Sequence, residues 1–495
     1  MRSDESVPVL HEMVKLVKTS PCRRFTAGLV YEHVSVDHEE ESVMAKGKAN
    51  VATIIVIGGM SVLGAVSGCG LFGAGPSAQR KAAVVKQSGK HHRPLKGGKG
   101  VTIDWAASPI TQTGTRQTMV RAFERSHPNI RVKLTTMSTN TDTTRTTLST
   151  EIEGGSATPD VYMGDVIWPA QFAHSGLAVD LSKYFAHGFW SRFAPGLVTG
   201  ASYRGKVYGA PFFMDAGFLY YRKDLLSKAG LSVPHTWQQL ASDAKTLQAK
   251  HLVRYGYVWE GASYEGLTCD LMEFLADSGA KVLNAAGTKV TLNSPQAISA
   301  VAFMRSLITR GVSPAAVSTY QEPDAMNAFD AGDAAFMRNW DYAWSNSQTP
   351  GTKVVGKVGV EPMPAFAGDK QPGYSCIGGW DLYVNPHTHH LKQALTFIRW
   401  MTSVPAQRIL AKKYSEVPTN YAVQREASVR RKNPVLRIVA RVRLIARPSS
   451  TPLYPQLSQA LYQNVNAALT GQISPTTAIS RASREIGADL AGRGL

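Results

Sequence analysis

"VTIDWAASPITQTGTRQTMVRAFERSHPNIRVKLTT" (residues 101–136) changes period twice. In its first five residues Val101, Ile103 and Trp105 alternate with Thr102 and Asp104, the pattern of a strand with two unlike faces. Met119, Val120 and Phe123 then recur at helical spacing, and Pro128-Asn129 ends that helix. "IRVKLTT" (130–136) alternates again. Strand, helix and strand at this spacing predict a βαβ unit and hence a parallel sheet.

The same signals continue along the chain. A helix is expected near 142–153, stopped by Gly154-Gly155, followed by a strand "PDVYMGD" (159–165) that ends in an acid. "KVYGAPFFMDAGFLYYRKDLLSKAGL" (206–231) reads as a long extended run into a helix capped by Gly230. Thr236 and Gln239 stand in capping-box register before the next helix. "RYGYVWEG" and "GGWDLYVN" (378–385) read as strands, with glycine-terminated helices between them. No short internal repeat is visible. At 495 residues the chain exceeds one ordinary domain. The pattern predicts an α/β chain of two lobes, with a cleft at the strand ends where open α/β sheets hold ligands.

The first hundred residues differ in composition. "MAKGKANVATIIVIGGMSVLGAVSGC" (44–69) has a basic start, an apolar run and a small-residue end, the layout of a signal peptide. "VSGC" resembles a bacterial lipobox, which makes Cys69 the expected lipidation site and 44–68 the signal peptide. A transmembrane helix is the competing reading, but the run is shorter than the roughly 20 apolar residues a span needs. Residues 1–43 then read as an N-terminal extension from a start placed too early, with Met44 the true start, or as a cytosolic extension. Residues 69–100 read as a lipidated cysteine and a flexible basic tether, rich in Gly, Lys and Ser. Extended, it would span on the order of 100 Å, and its basic residues would lie along anionic headgroups.

The formal net charge is +18. Much of it belongs to that tether and to a second block of Arg425, Arg430, Arg431, Lys432, Arg437, Arg441, Arg443 and Arg447. Such a run is ordinarily a solvated face. No nucleic-acid module accompanies it, so no nucleic-acid partner is expected. His91-His92 and "HTHH" (387–390) carry metal-type residues, but each reads as a solvated pair or a loop; no metal and no cofactor is expected. Four cysteines exclude a disulfide scaffold, and Cys269 with Cys376 would either pair outside the cytoplasm or stay as buried thiols.

Residues 100–495 resemble the bacterial extracellular solute-binding proteins of family 1, which serve ABC sugar importers, and within them the trehalose/maltose-binding branch. The resemblance rests on "PDVYMGDVIWPAQFAHSGLAVDL", "KVYGAPFFMDAGFLYYRKDLL", "TWQQL", "VWEGASYEGLTCDLMEF", "AAFMRNWDYAW", "GKVGVEPMP", "GGWDLYVN" and "RPSSTPLYPQLSQALYQNVNAALTGQISP", in that order. It implies the two-lobe periplasmic-binding-protein fold of type II, like that of the maltose-binding protein, with a hinge and an interlobe cleft. One lobe would take 101–213 plus 375–420, the other 216–372 plus 421–495. It implies a sugar site drawn from Asp165, Asp215, Trp340, Tyr342, Trp380 and Arg447. Relatives often offer a glutamate from the first strand's loop. Here "AASPITQTGT" (106–115) has no acid, and Gln112 or Thr111 is the neutral substitute expected.

These residue types suit a pyranose. An aromatic ring covers its C–H face, carboxylates accept paired hydrogen bonds from neighbouring hydroxyls, and an arginine offers a planar donor fork. Trp340 and Tyr342 beside Asn339 and Asp341 fit a ligand that is half apolar and half hydroxylated. The expected protein is therefore a monomeric binding lipoprotein on the outer face of the cell membrane, without enzymatic activity. It would capture an α-linked glucose disaccharide such as trehalose or maltose by hinge closure. Its partner would be a two-subunit ABC permease with a separate ATPase. Two alternatives stay open. One is a glycoside hydrolase using Asp165 and Asp215, since such enzymes flank the bond with two carboxylates. The other keeps the transport role with a longer oligosaccharide or another polar solute.

Overall fold

The computed structural model describes residues 100–109 and 114–492. Cys69, Gln112, the signal segment and the tether lie outside the described residues.

The opening βαβ unit folds as its periodicity predicts. Strands β1 (Val101–Ala107) and β2 (Ile130–Thr136) pair in parallel, in register from Val101↔Ile130 to Ala107↔Thr136. Helix α1 (Thr115–Ser126) between them buries Met119, Val120 and Phe123. Helix α2 (Thr141–Glu153) starts at an Asn140 cap that accepts from the Thr143 N–H, and ends at Gly154. Strand β3 (Val161–Asp165) lies parallel beside β1. Short helix α3 (Pro195–Gly200) and the small hairpin of β4 (Ser202–Tyr203) and β5 (Lys206–Val207) lead to the long extended run.

That run serves two sheets. Strand β6 (Ala210–Ala216) joins the first, and β7 (Phe218–Arg222) joins the second, with only Gly217 between them. A Cβ on Gly217 would lie 2.1 Å from Glu273 Oε1 and 2.8 Å from Arg338 Nη2, so the crossing needs bare backbone to pass a buried ion pair. Gly230 ends the following helix in the left-handed region, φ 72°. Helix α4 (Trp237–Ala249) opens on Thr236, which accepts from the Gln239 N–H. Gln239 reaches back to the His235 N–H, one residue short of the reciprocal box. Strand β8 (Tyr255–Val258) and helix α5 (Glu265–Asp277) follow.

The second sheet runs β10-β7-β9-β8, with β9 at Ala334–Asn339 and β10 at Val358–Glu361. Strand β11 (Tyr374–Val384) then returns to the first sheet, inserting antiparallel between β3 and β6. Strand β12 (Val417–Pro418) edges β6, and β13 (Arg443–Ile445) pairs with the first three residues of β11. The first sheet is therefore mixed, not parallel as the opening unit predicts. Its parallel part is β2-β1-β3; β11 enters against that direction, and β6, antiparallel to β11, runs with it. Helix α6 (Tyr454–Leu469) packs on α5.

Each sheet has its own apolar core. One gathers Ile103, Trp105, Phe123, Tyr162, Phe212 and Phe397. The other gathers Phe218, Trp237, Trp259, Leu271, Phe336 and Leu457, and takes Ala411, Val417 and Val429 from the C-terminal stretch. Two sheets with separate cores, joined by extended strands, form the two-lobe α/β architecture.

Candidate functional site

Register builds the site. On β11, Gly378 stands opposite Asp215 of β6, and Trp380 stands opposite Asp165 of β3. Directly paired residues, and residues two apart, share a face of a sheet. Asp215, Gly378, Trp380 and Asp165 therefore belong to one face. Gly378 is bare, and Trp340 from the end of β9 lies on it: a Cβ there would sit 2.6 Å from Trp340 Cζ3. Trp340 is held from beside by the Arg338 guanidinium, 4.0 Å from its ring centroid. Trp380 packs edge-on against Trp168 at 6.1 Å between centroids.

Asp165, Asp215, Trp340, Trp380 and Arg447 line one cavity of about 30 Å³. Thr141, Glu265, Cys269 and Glu322 line it too. Tyr342 does not. Strand β9 ends at Asn339, Tyr342 adopts helical backbone angles (φ −65°, ψ −21°), and its ring enters the second core. Strand alternation therefore does not extend through the turn. Gln112 lies outside the described residues.

Arg447 joins the two sides of the cavity. Its Nη2 donates to Asp165 Oδ1 at 2.9 Å, and its Nη1 donates to Glu265 Oε1 at 2.8 Å. A third donation, Nη1 to Asp165 Oδ2 at 3.3 Å, completes the fork. Glu265 also accepts from the Ser458 hydroxyl at 2.6 Å and from Tyr454. Its own N–H donates across to Asp142 Oδ2 at 3.0 Å. Burial raises the Glu265 carboxyl to about 7, with Arg447 opposing. Burial works against the charge of Arg447, but Asp165 foremost holds its pKa well above the ordinary value. Glu265 and Glu322 sit in the first turns of helices, where an acid ordinarily answers the helix dipole. That common role hid them in the sequence.

Asp215 and Asp341 form a second buried group. Asp215 Oδ1 accepts from the Asp341 N–H at 2.9 Å and the Ala216 N–H at 3.0 Å. Asp341 accepts from the Val417 N–H. Burial pushes both carboxyls up, Asp215 to about 8. Two buried acids side by side hold a shared proton rather than two charges. Asp341 is thus a structural partner of Asp215, fully buried.

Cys269 and Cys376 are buried free thiols. His390 Nδ1 of the "HTHH" loop lies 3.1 Å from Asp160. Among the described residues no group of three or more His, Cys, Asp or Glu could hold a metal, and no helix is long and apolar enough to cross a membrane.

Two lobes, crossed by extended strands and meeting over a cavity of indoles, carboxyls and one arginine, define a ligand-capturing protein of the two-lobe class. The chain matches the family of bacterial extracellular solute-binding proteins over residues 107–408 and belongs to it. It is 36% identical over 344 residues to a probable ABC transporter-binding protein of Deinococcus radiodurans, covering 68% of this chain and 80% of that one. It is 25% identical over 408 residues to a mannitol-binding protein of Pseudomonas aeruginosa, covering 76% and 89%. A maltose-bound T. maritima structure superposes with a TM-score of 0.74 at 34% identity, covering 78% of this chain and 99% of that one.

Proposed function

We propose that this protein captures a sugar, an α-linked glucose disaccharide such as maltose or trehalose, and delivers it to a two-subunit ABC permease driven by a separate ATPase. The observation that carries this reading is the convergence of Trp340 and Trp380 with Asp165, Asp215 and Arg447 on one cavity. Two indole planes suit pyranose C–H faces, and the charged rim suits hydroxyls. The likeness to the maltose-bound T. maritima protein supports the cargo.

The cavity holds about 30 Å³, about the share of one water. A sugar enters only if the lobes part, which means separating Asp165 from Arg447 and Asp142 from the Glu265 N–H. Hydroxyls then replace those partners as the lobes shut, so cargo makes the shut form favourable. The site captures without cleaving, as is expected of a solute-binding protein of this family. The protein works outside the cytoplasm as a monomer, tethered through lipid on Cys69; the lobes divide at Gly217, just past the 213–216 expected from the sequence, and again before β11. Calorimetry across maltose, trehalose, maltotriose and mannitol tests the cargo: a disaccharide binds with a measurable heat, and silence from every disaccharide overturns the reading. Glucose released on incubation with maltose would overturn the non-enzymatic part.

A further inference from the structure

A second cavity adjoins the first and differs from it in chemistry. It measures about 120 Å³, and Gly378 and Arg447 belong to the walls of both. Its lining is mostly apolar: Val166, Ile167, Leu197, Phe213, Met214 and Ile377. Cavities of about 150 Å³ lined by such side chains stay dry and accept a benzene ring. Water gains little there, because few polar partners face it.

Asp381, Thr419, Arg447 and Ser449 are the polar residues of its lining, and two of them stand out. The Arg447 Nε–H is buried and has no hydrogen-bond partner, although both Nη atoms are engaged. The Asp381 carboxyl lines the same cavity at 3% exposure, and its contact with the Tyr383 hydroxyl is long, 3.5 Å. Burial, aided by Asp165, raises Asp381 to about 8. It is therefore protonated at neutral pH and presents an O–H. An unpaired buried donor is costly, and such donors among mainly apolar walls suit an atom that only accepts.

We infer that the cargo is a glycoside with a mainly apolar aglycone: the sugar ring sits in the polar cavity, its glycosidic oxygen accepts from the Arg447 Nε–H, and the aglycone fills the adjoining recess. This rests on the reading of a sugar-capturing site above and puts an apolar group in place of the disaccharide's second ring. The second cavity is the larger of the two, and the shared Gly378 and Arg447 make it continuous with the site that holds the ring. A hydroxyl-rich second sugar would leave its donors facing aliphatic walls, at the cost of unmade hydrogen bonds.

Calorimetry of the purified protein with methyl α-D-glucopyranoside, phenyl α-D-glucopyranoside and maltose tests this. The phenyl glucoside is expected to bind at least about tenfold more tightly than the methyl glucoside, the gain from burying one ring after association costs. Ala201→Phe, which fills the recess, and Val166→Thr, which makes it more polar with little change of volume, both shrink that ratio. Equal affinities for the phenyl and methyl glucosides, with maltose binding intact, overturn the inference and leave the sugar reading standing. A phenyl advantage that survives in both variants also overturns it, by placing the ring elsewhere. No binding by any of the three sugars overturns both.

Discussion

Two buried arginines with carboxylate neighbours do different things in this protein. Arg338 meets Glu260 at 3.0 Å, Asp270 at 2.9 Å and Glu273 at 2.8 Å, all within the second lobe and all essentially without exposure. Arg447 meets Asp165 of the first sheet and Glu265 of α5, across the cavity. Arg338 is sealed, and its partners never need to part. Its cage is over-supplied with acid, and burial pushes the Glu260 and Asp270 carboxyls well up, with Arg338 opposing. Its visible product is the placing of Trp340, whose ring rests on the guanidinium. Arg447 is a bridge between the two sides of the cavity, and under the proposed function its bonds break to admit cargo. Burial alone does not tell a scaffold charge from a working one; whether the partners lie on one rigid body or two does.

The largest expected effect breaks the sealed cage. Arg338→Met leaves buried acids uncompensated and should lower unfolding free energy by about 3–5 kcal/mol in a urea melt. Arg447→Met should cost less stability, about 1–3 kcal/mol, because its partners border a cavity that water reaches when the lobes part. It should instead weaken disaccharide binding at least about a hundredfold by calorimetry, the loss of a forked, charge-assisted contact. Equal stability losses for the two variants would erase the contrast between them.

Gly378→Ala sharpens the role of Trp340. The added methyl must displace a ring 2.6 Å away, which costs about 1–3 kcal/mol of stability and should cut sugar affinity about tenfold or more. Retained affinity would mean that the position of this indole is not part of recognition.

The last effect is graded with pH. Glu265 moves from an ordinary 4.5 to about 7, and Asp277 and Asp330 from 3.8 to about 7, each raised by burial. A carboxyl raised on folding keeps its proton in the folded chain after the unfolded chain has lost it. The folded chain then binds more protons, and stability falls as pH rises through that window. Unfolding free energy should fall between pH 5 and pH 8, by at most about 1.4 kcal/mol per proton per pH unit, and Tm should fall with it. Glu265→Gln removes one such proton and should flatten the slope; an unchanged slope would show that the bridge carries no proton.

Much of this was legible beforehand. The βαβ opening, the glycine and proline stops, the Thr236 cap and the long run ending in "MDAGFLYYRKDLL" all correspond to elements of the fold. Where local pattern alone was used, it failed at a boundary. Trp340 and Tyr342 alternate in sequence, but the strand stops at Asn339, and one ring reaches the cavity while the other enters the core. Asp341, read as a polar neighbour of the ligand, turns inward to Asp215 and the Val417 N–H. Glu265 and Glu322 passed unnoticed, because an acid in a helix's first turn needs no second explanation.

The amino-acid sequence by itself determined the α/β class, the order of the elements, and the aromatic and acidic residue types that the chain has to place. These follow from periodicity, capping and backbone freedom, which act over a few residues. Tertiary structure alone decided that Arg447 would reach Asp165, 282 positions away, that Gly378 would lie bare beneath Trp340, and that an apolar recess would open beside a polar one. A strand's pattern states which side faces the sheet but not which strand lies next to it. That choice is made by burying the whole chain at once.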